Sequence, residues 1–180
     1  AIAFDSLRLE LGGASADAVL QGEERQAEST SWFKGKDPSC WRAGIASYRS
    51  VLCRGIYPCI DLRIRAATSL DGEERGRIEY DLLLEPGADP GAVAVRCRGA
   101  ESIEIEEGGG LAIRSASGLL LQPQPRTWQE LPSGKRLPVE CRYRLIDERT
   151  FGFEAAPIAH EASLVIDPIL AYVGGCCDDD

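Results

Sequence analysis

The run Ile60-Asp61-Leu62-Arg63-Ile64-Arg65 decides the fold class, because apolar and charged side chains alternate along it with a period of two. The same alternation returns in residues 78–84, 93–98 and 139–145. It is typical of antiparallel sheets that have one buried and one solvated face. Turn signals such as Asp71-Gly72 separate the runs at intervals that suit a sandwich or barrel. We therefore expect an all-β fold, an antiparallel β-sandwich-like domain with short connecting turns and at most one short helical turn.

Two segments depart from the alternation. In residues 37–41, Asp37 is suited to cap one helical turn and Pro38 to occupy its first position. Residues 12–30 mix small, polar and acidic side chains, which predicts a loop with one short strand near residues 18–20. Without an internal repeat or boundary signal, residues 1–173 are expected to form a single all-β domain and residues 174–180 a tail.

Composition limits the partners. The chain has 180 residues, of which 44% are hydrophobic, enough for one buried core. The net charge of −9 argues against nucleic acid and against an anionic membrane surface, since both attract basic proteins. No stretch approaches the ~18 apolar residues of a transmembrane segment. The absence of Met predicts a processed or internal fragment of a longer protein.

Seven cysteines are candidates for disulfides or interchain thiols: Cys40, Cys53, Cys59, Cys97, Cys141, Cys176 and Cys177. No CxxC pair is present, so the strongest zinc-binding spacing is missing. Three of them, Cys53, Cys97 and Cys141, fall on inward strand positions. A cysteine there is either a small buried hydrophobe or, in a secreted protein, half of a disulfide between strands. Because seven is odd, at least one thiol is expected to stay free or to pair between chains.

Catalytic signals are weak. The single histidine, His160, is expected in a surface loop, and no GxSxG motif or cysteine nucleophile context accompanies it. Glu79 and Asp81 share one strand face, which leaves a carboxylate-dependent hydrolase as the enzyme alternative, but a solvated strand face is favoured. We therefore predict no catalytic, cofactor-binding or metal-binding residue and no cofactor. The aromatic side chains are expected mostly to pack in the core.

A series of motifs is more specific than these features: Phe33-Lys34-Gly35-Lys36-Asp37-Pro38-Ser39-Cys40-Trp41, then Gly55-Ile56-Tyr57-Pro58-Cys59-Ile60-Asp61-Leu62, Gly76-Arg77-Ile78-Glu79-Tyr80-Asp81, Glu85-Pro86-Gly87-Ala88-Asp89-Pro90 and Leu164-Val165-Ile166-Asp167-Pro168. In this order they resemble the N-terminal all-β domain that precedes SBBP-type β-propeller repeats in large bacterial secreted or surface proteins. The resemblance covers nearly the whole chain. It departs at Cys59, where the family pattern has Gly, and the tail from Gly174 resembles the start of a propeller repeat.

The resemblance implies a secreted or cell-surface location and a non-catalytic structural or interaction domain for scaffolding, adhesion or assembly. Its expected partners are other protein chains or its own propeller, with no nucleic acid, and an oligomer is one option. Seven motif residues are expected to have structural roles: Trp41, Tyr57 and Tyr80 in the core, Pro58 in a turn, and Asp61, Asp81 and Asp167 as acceptors at strand ends or as ligands of a cation. The alternative is a strand-addition module of a surface complex or filament, because missing upstream strands would leave a sheet edge open.

Overall fold

The computed structural model describes residues 7–66, 78–169 and 171–174. Its strands, β1 to β15 in chain order, are Arg8–Leu11, Val19–Trp32, Arg42–Tyr57, Ile60–Ala66, Ile78–Leu84, Ala94–Arg98, Ser102–Ile105, Leu111–Ser115, Gly118–Gln122, Arg126–Glu130, Arg136–Pro138, Cys141–Asp147, Thr150–Ala155, Ser163–Asp167 and Ala171–Gly174. These strands pair antiparallel throughout, which confirms the predicted all-β, sandwich-like fold.

Two single-turn 3-10 helices, Pro38–Cys40 and Pro90–Ala92, are the helical segments of the described residues. The first confirms the turn predicted after Asp37. The second corrects the expectation of at most one helical turn: Asp89 precedes Pro90 as Asp37 precedes Pro38, and it also accepts a hydrogen bond from the backbone two residues on. Within the described ranges, no helix is long and apolar enough to cross a membrane.

The strands form three sheets. The first has the order β1-β6-β13-β12, the second β11-β10-β14-β5-β4-β3-β2, and the third β15-β9-β8-β7. The alternating runs supply their inner faces, so that side chains from all three sheets meet in one core. Its largest fully buried members include Phe151 and Phe153 from the first sheet, Ile60 and Leu82 from the second, and Leu111 from the third.

The β2–β3 hairpin corrects the prediction for residues 12–30. Instead of a loop with a short strand near residues 18–20, β2 runs for 14 residues and β3 for 16. Most of β2 is exposed on both faces, so its sequence has no apolar face to alternate with a polar one. The missing alternation therefore reflects the lack of a covering layer among the residues that the structure describes, and the strand itself is formed by pairing with β3.

Candidate functional site

The distal part of the β2–β3 hairpin projects from the second sheet. Strand β3 pairs with β4 from Ser50 to Tyr57, whereas its partnership with β2 continues outwards to Arg42. We call residues 24–49 the arm. No residue of the arm is buried, and only three are half-buried. The arm is thus a two-stranded ribbon exposed on both faces, which is only marginally stable by itself.

Two local features shape the base of the arm. The ring of Tyr48 lies against Gly22 so closely that a Cβ on Gly22 would meet ring atoms at 2.5–2.7 Å. On the other strand Glu24 adopts a positive φ of 51°, and the register with β3 shifts between Arg25 and Ser29. Such a bulge bends an edge strand and interrupts its hydrogen-bonding edge.

The tip of the arm, residues 32–42, exposes large apolar side chains. The exposed fraction is 57% for Trp32, 63% for Phe33 and 40% for Trp41. Phe33 and Trp41 contact each other edge to face, with ring centroids 5.6 Å apart. The prediction that Trp41 anchors the core is therefore wrong, because the arm carries it beyond the sheets that enclose the core.

Hydrogen bonds hold the tip loop in one shape. The Asp37 carboxylate accepts a hydrogen bond from the backbone N–H of Ser39 at 2.9 Å, and this bond lowers the pKa of Asp37. The Arg42 guanidinium donates to the carbonyls of Ser39 and Trp41 at 2.9 and 3.0 Å. The indole N–H of Trp41 donates to the Gly35 carbonyl at 3.3 Å. The aromatic rings are thus presented by a loop that has hydrogen bonds of its own.

The predicted carboxylate pair lies elsewhere, on the second sheet. Glu79 and Asp81 of β5 both bind Arg65 of β4, which also reaches Asp167 of β14. The Nη2 atom of Arg65 lies 3.1 Å from Asp81 Oδ1 and 3.2 Å from Asp167 Oδ1. We call these four residues the Arg65 cluster. Because Arg65 of β4 binds both members of the predicted pair on β5 and also Asp167 on β14, the cluster joins three neighbouring strands by charge-assisted hydrogen bonds.

One arginine faces three carboxyl groups in the Arg65 cluster, so the negative charges outnumber the positive one. Asp167 is the carboxyl group whose pKa is raised. Burial raises its pKa from 3.8 to about 6, the negative charge of Asp81 adds to the rise, and Arg65 opposes it. Arg65 itself has a raised pKa, mainly through its hydrogen bond with Asp81. Close carboxyl groups can therefore share a proton here, with Asp167 as the group that holds it.

The remaining predicted positions are spread over the molecule. Asp61 accepts a hydrogen bond from the backbone N–H of Gly55 at 2.7 Å, at the end of the β3–β4 hairpin. Tyr57 is buried, and its hydroxyl donates to the Gly12 carbonyl at 2.7 Å. Tyr80 is half-buried and packs against the core, and Pro58 occupies the β3–β4 turn. In the described part of the chain, no group of three or more His, Cys, Asp or Glu side chains could hold a metal ion.

Five of the seven cysteines are described, and all five are free thiols: Cys40, Cys53, Cys59, Cys97 and Cys141. Cys97 and Cys141 are buried in the core, and burial raises the pKa of Cys97 to about 12. Cys53 is half-buried, and Cys40 and Cys59 are exposed. Cys176 and Cys177 lie outside the described residues. The single histidine, His160, is exposed in the loop before β14.

Sequence reasoning missed the tip as a unit. Its aromatic residues were expected mostly in the core, although one signal was available: Trp32, Phe33 and Trp41 flank a short segment with Lys34 and Lys36. A core segment rarely combines aromatic and unpaired basic side chains in this way.

Residues 1–169 match a family described as a domain of unknown function, DUF7948. No curated protein and no solved structure matches the chain.

Proposed function

Because the chain belongs to the DUF7948 family, for which no activity is described, we propose its function from the arm: a non-catalytic structural domain that contacts another surface. Exposed aromatic side chains are the observation that carries this proposal. Trp32, Phe33 and Trp41 together expose roughly 350 Å², judged from the usual area of such side chains. The contacting rings of Phe33 and Trp41 form a shared apolar surface, and exposed apolar patches on a soluble domain often have a function.

The proposal includes a secreted or bacterial cell-surface location and a β-propeller that follows the domain, on the strength of the motif series. The last described strand, β15, lies at the edge of the third sheet, whereas the arm belongs to the second. We therefore assign contacts with the propeller, or with other chains of the assembly, to the third sheet. The arm is then free to contact a different surface. A scaffolding or adhesion domain needs two such separate contacts, because it connects one partner to another.

Radical footprinting of the native chain, in its cellular setting and after purification, tests this role. We expect the tip residues Trp32, Phe33 and Trp41 to be oxidised less in cells than in the purified protein. Leu145 and Ile146 are similarly exposed, at 42% and 43%, but lie on β12 and serve as the matched control. Equal oxidation of the tip in both settings would show that the arm contacts nothing and would refute the proposal.

Strand addition is the second candidate, because β2 is an edge strand of the seven-stranded sheet. Register shifts between Arg25 and Ser29 and between Thr30 and Trp32 interrupt this edge and leave only short regular stretches. Sedimentation of the purified chain decides the matter: assembly that Ser29→Pro abolishes supports pairing through β2, and a strict monomer at high concentration rejects it.

A further inference from the structure

The tip of the arm has a charge opposite to that of the rest of the chain. Residues 32–42 contain three basic side chains, Lys34, Lys36 and Arg42, and one acidic one, Asp37, a net charge of +2. Since the whole chain has −9, the remainder carries −9 − 2 = −11. Lys34 and Lys36 form no ion pair within the described part of the chain, so their charges are available to a partner.

The described residues outside 32–42 carry −6 of this charge, and the arm separates it in space from the tip. Arg42, at the tip, is eight residues from Ser50, where β3 joins β4. At about 3.3 Å per residue the separation is roughly 26 Å. This is about three Debye lengths at physiological ionic strength, where the Debye length is about 8 Å. A surface in contact with the tip therefore experiences its positive charge, while the negative charge of the described residues outside the arm, which we call the body, is largely screened.

Tryptophan with lysine or arginine is the combination that the boundary of a bilayer attracts. Tryptophan rings partition to the headgroup level, and each basic side chain near an anionic leaflet adds to binding. The cores of protein–protein interfaces are depleted in lysine, whereas the tip sets its aromatic rings beside two lysines without an ion pair among the described residues. A lipid surface accommodates both kinds of side chain, with the rings at the boundary and the ammonium groups near the phosphates, so the composition of the tip favours lipid.

Resting on the proposed role of the arm, we infer that its tip docks on an anionic lipid surface. Trp32, Phe33 and Trp41 enter the boundary between headgroups and acyl chains, and Lys34 and Lys36 lie near the lipid phosphates. The net charge of the whole chain argues against binding to an anionic membrane. That argument treats the chain as one charge, whereas the fold separates the positive tip from the negative body.

The test uses the native chain and vesicles of phosphatidylcholine, with and without phosphatidylglycerol. We expect binding only to the anionic vesicles, weakened by salt, with a blue shift of tryptophan emission. Lys34→Gln/Lys36→Gln should lower the partition coefficient about 30-fold, from roughly fivefold per lysine. The matched control Lys135→Gln/Arg149→Gln removes the same charge from exposed positions of the body and should bind at least as well as the native chain.

A second variant separates charge from insertion. Trp32→Ser/Phe33→Ser keeps every charge, and we expect it to lose most of the blue shift and of the binding at physiological salt. No binding of the native chain to anionic vesicles overturns the inference, and so does equal binding by the tip and control variants. If footprinting protects the tip in cells while vesicles are ignored, the contact role stands and its partner is a protein. Failure of both measurements removes the contact role as well.

Discussion

Replacing Asp167 by asparagine should stabilise the domain above neutral pH. In the folded chain Asp167 lies beside Asp81 and Arg65, with 9% of its surface exposed. An asparagine keeps an oxygen toward the guanidinium of Arg65 and places an amide, in place of the acid proton, toward Asp81. Asp167→Asn thus imitates the protonated form of the aspartate without the need to bind a proton.

The size of the effect follows from the pKa of Asp167, which burial and Asp81 raise from 3.8 to about 6. A raised pKa means that the folded chain binds the proton more tightly than the unfolded chain. The resulting stability is fully present below about pH 4 and is lost as pH rises through about 6. About two pKa units correspond to roughly 3 kcal/mol, which is the largest gain we expect from Asp167→Asn at about pH 8. Below about pH 4 the variant and the native chain should unfold alike.

Urea unfolding followed by tryptophan fluorescence, at several pH values between about 4 and 8, measures this difference directly. The control is Glu154→Gln, since Glu154 forms an exposed ion pair with Arg142 at 2.9 Å that lowers the pKa of Glu154. Its removal should act in the opposite direction, with a small loss of stability at neutral pH. A difference between Asp167→Asn and the native chain that does not change with pH, or a less stable variant at about pH 8, would refute the reasoning.

Three further predictions concern a strained backbone position, a buried glycine and the exposure of two thiols. Cys59 has a φ of +60°, so Cys59→Gly should raise the free energy of unfolding by about 1 kcal/mol in urea titrations, whereas Cys59→Val should lower it. A Cβ on the buried Gly152 would lie 2.7 Å from the Val93 carbonyl oxygen, so Gly152→Ala should cost roughly 2–4 kcal/mol, visible as a lower midpoint. In thiol labelling of the native chain, the exposed Cys40 should react quickly, and Cys97, buried with a raised pKa, only at the rate of unfolding.

The body of the fold was predictable because one simple signal controls it. Strands such as β5 have a core face, so apolar residues such as Leu82 and Leu84 recur at every second position. The turn at Pro38 was equally predictable. The aspartate accepts a hydrogen bond from a backbone N–H of the turn, and proline has the φ that its first position requires. The arrangement of strands in three sheets was not predictable, because it depends on pairings between distant segments such as β1 with β6.

The Arg65 cluster shows a different limit. Period-two spacing placed Glu79 and Asp81 on one strand face, and the structure agrees with that placement. It was the register between β4 and β5, and between β5 and β14, that brought Arg65 and Asp167 to the same point. A sequence shows which carboxylates can meet on one strand, but the partner that neutralises them comes from strands that only the fold makes adjacent.

The effect of a charged side chain depends on its position, as that of an apolar side chain does, because both act over short distances. Apolar side chains are interpreted by position along the chain, because burial depends on which face they occupy. The net charge of −9 was instead interpreted as one number, although charges more than a Debye length apart act almost independently. An arm that extends roughly 26 Å from the sheet places Lys34 and Lys36 outside the field of the acidic body. The net charge therefore predicts against anionic partners for the residues outside the arm, whereas at the tip the local charge of +2 is the relevant one.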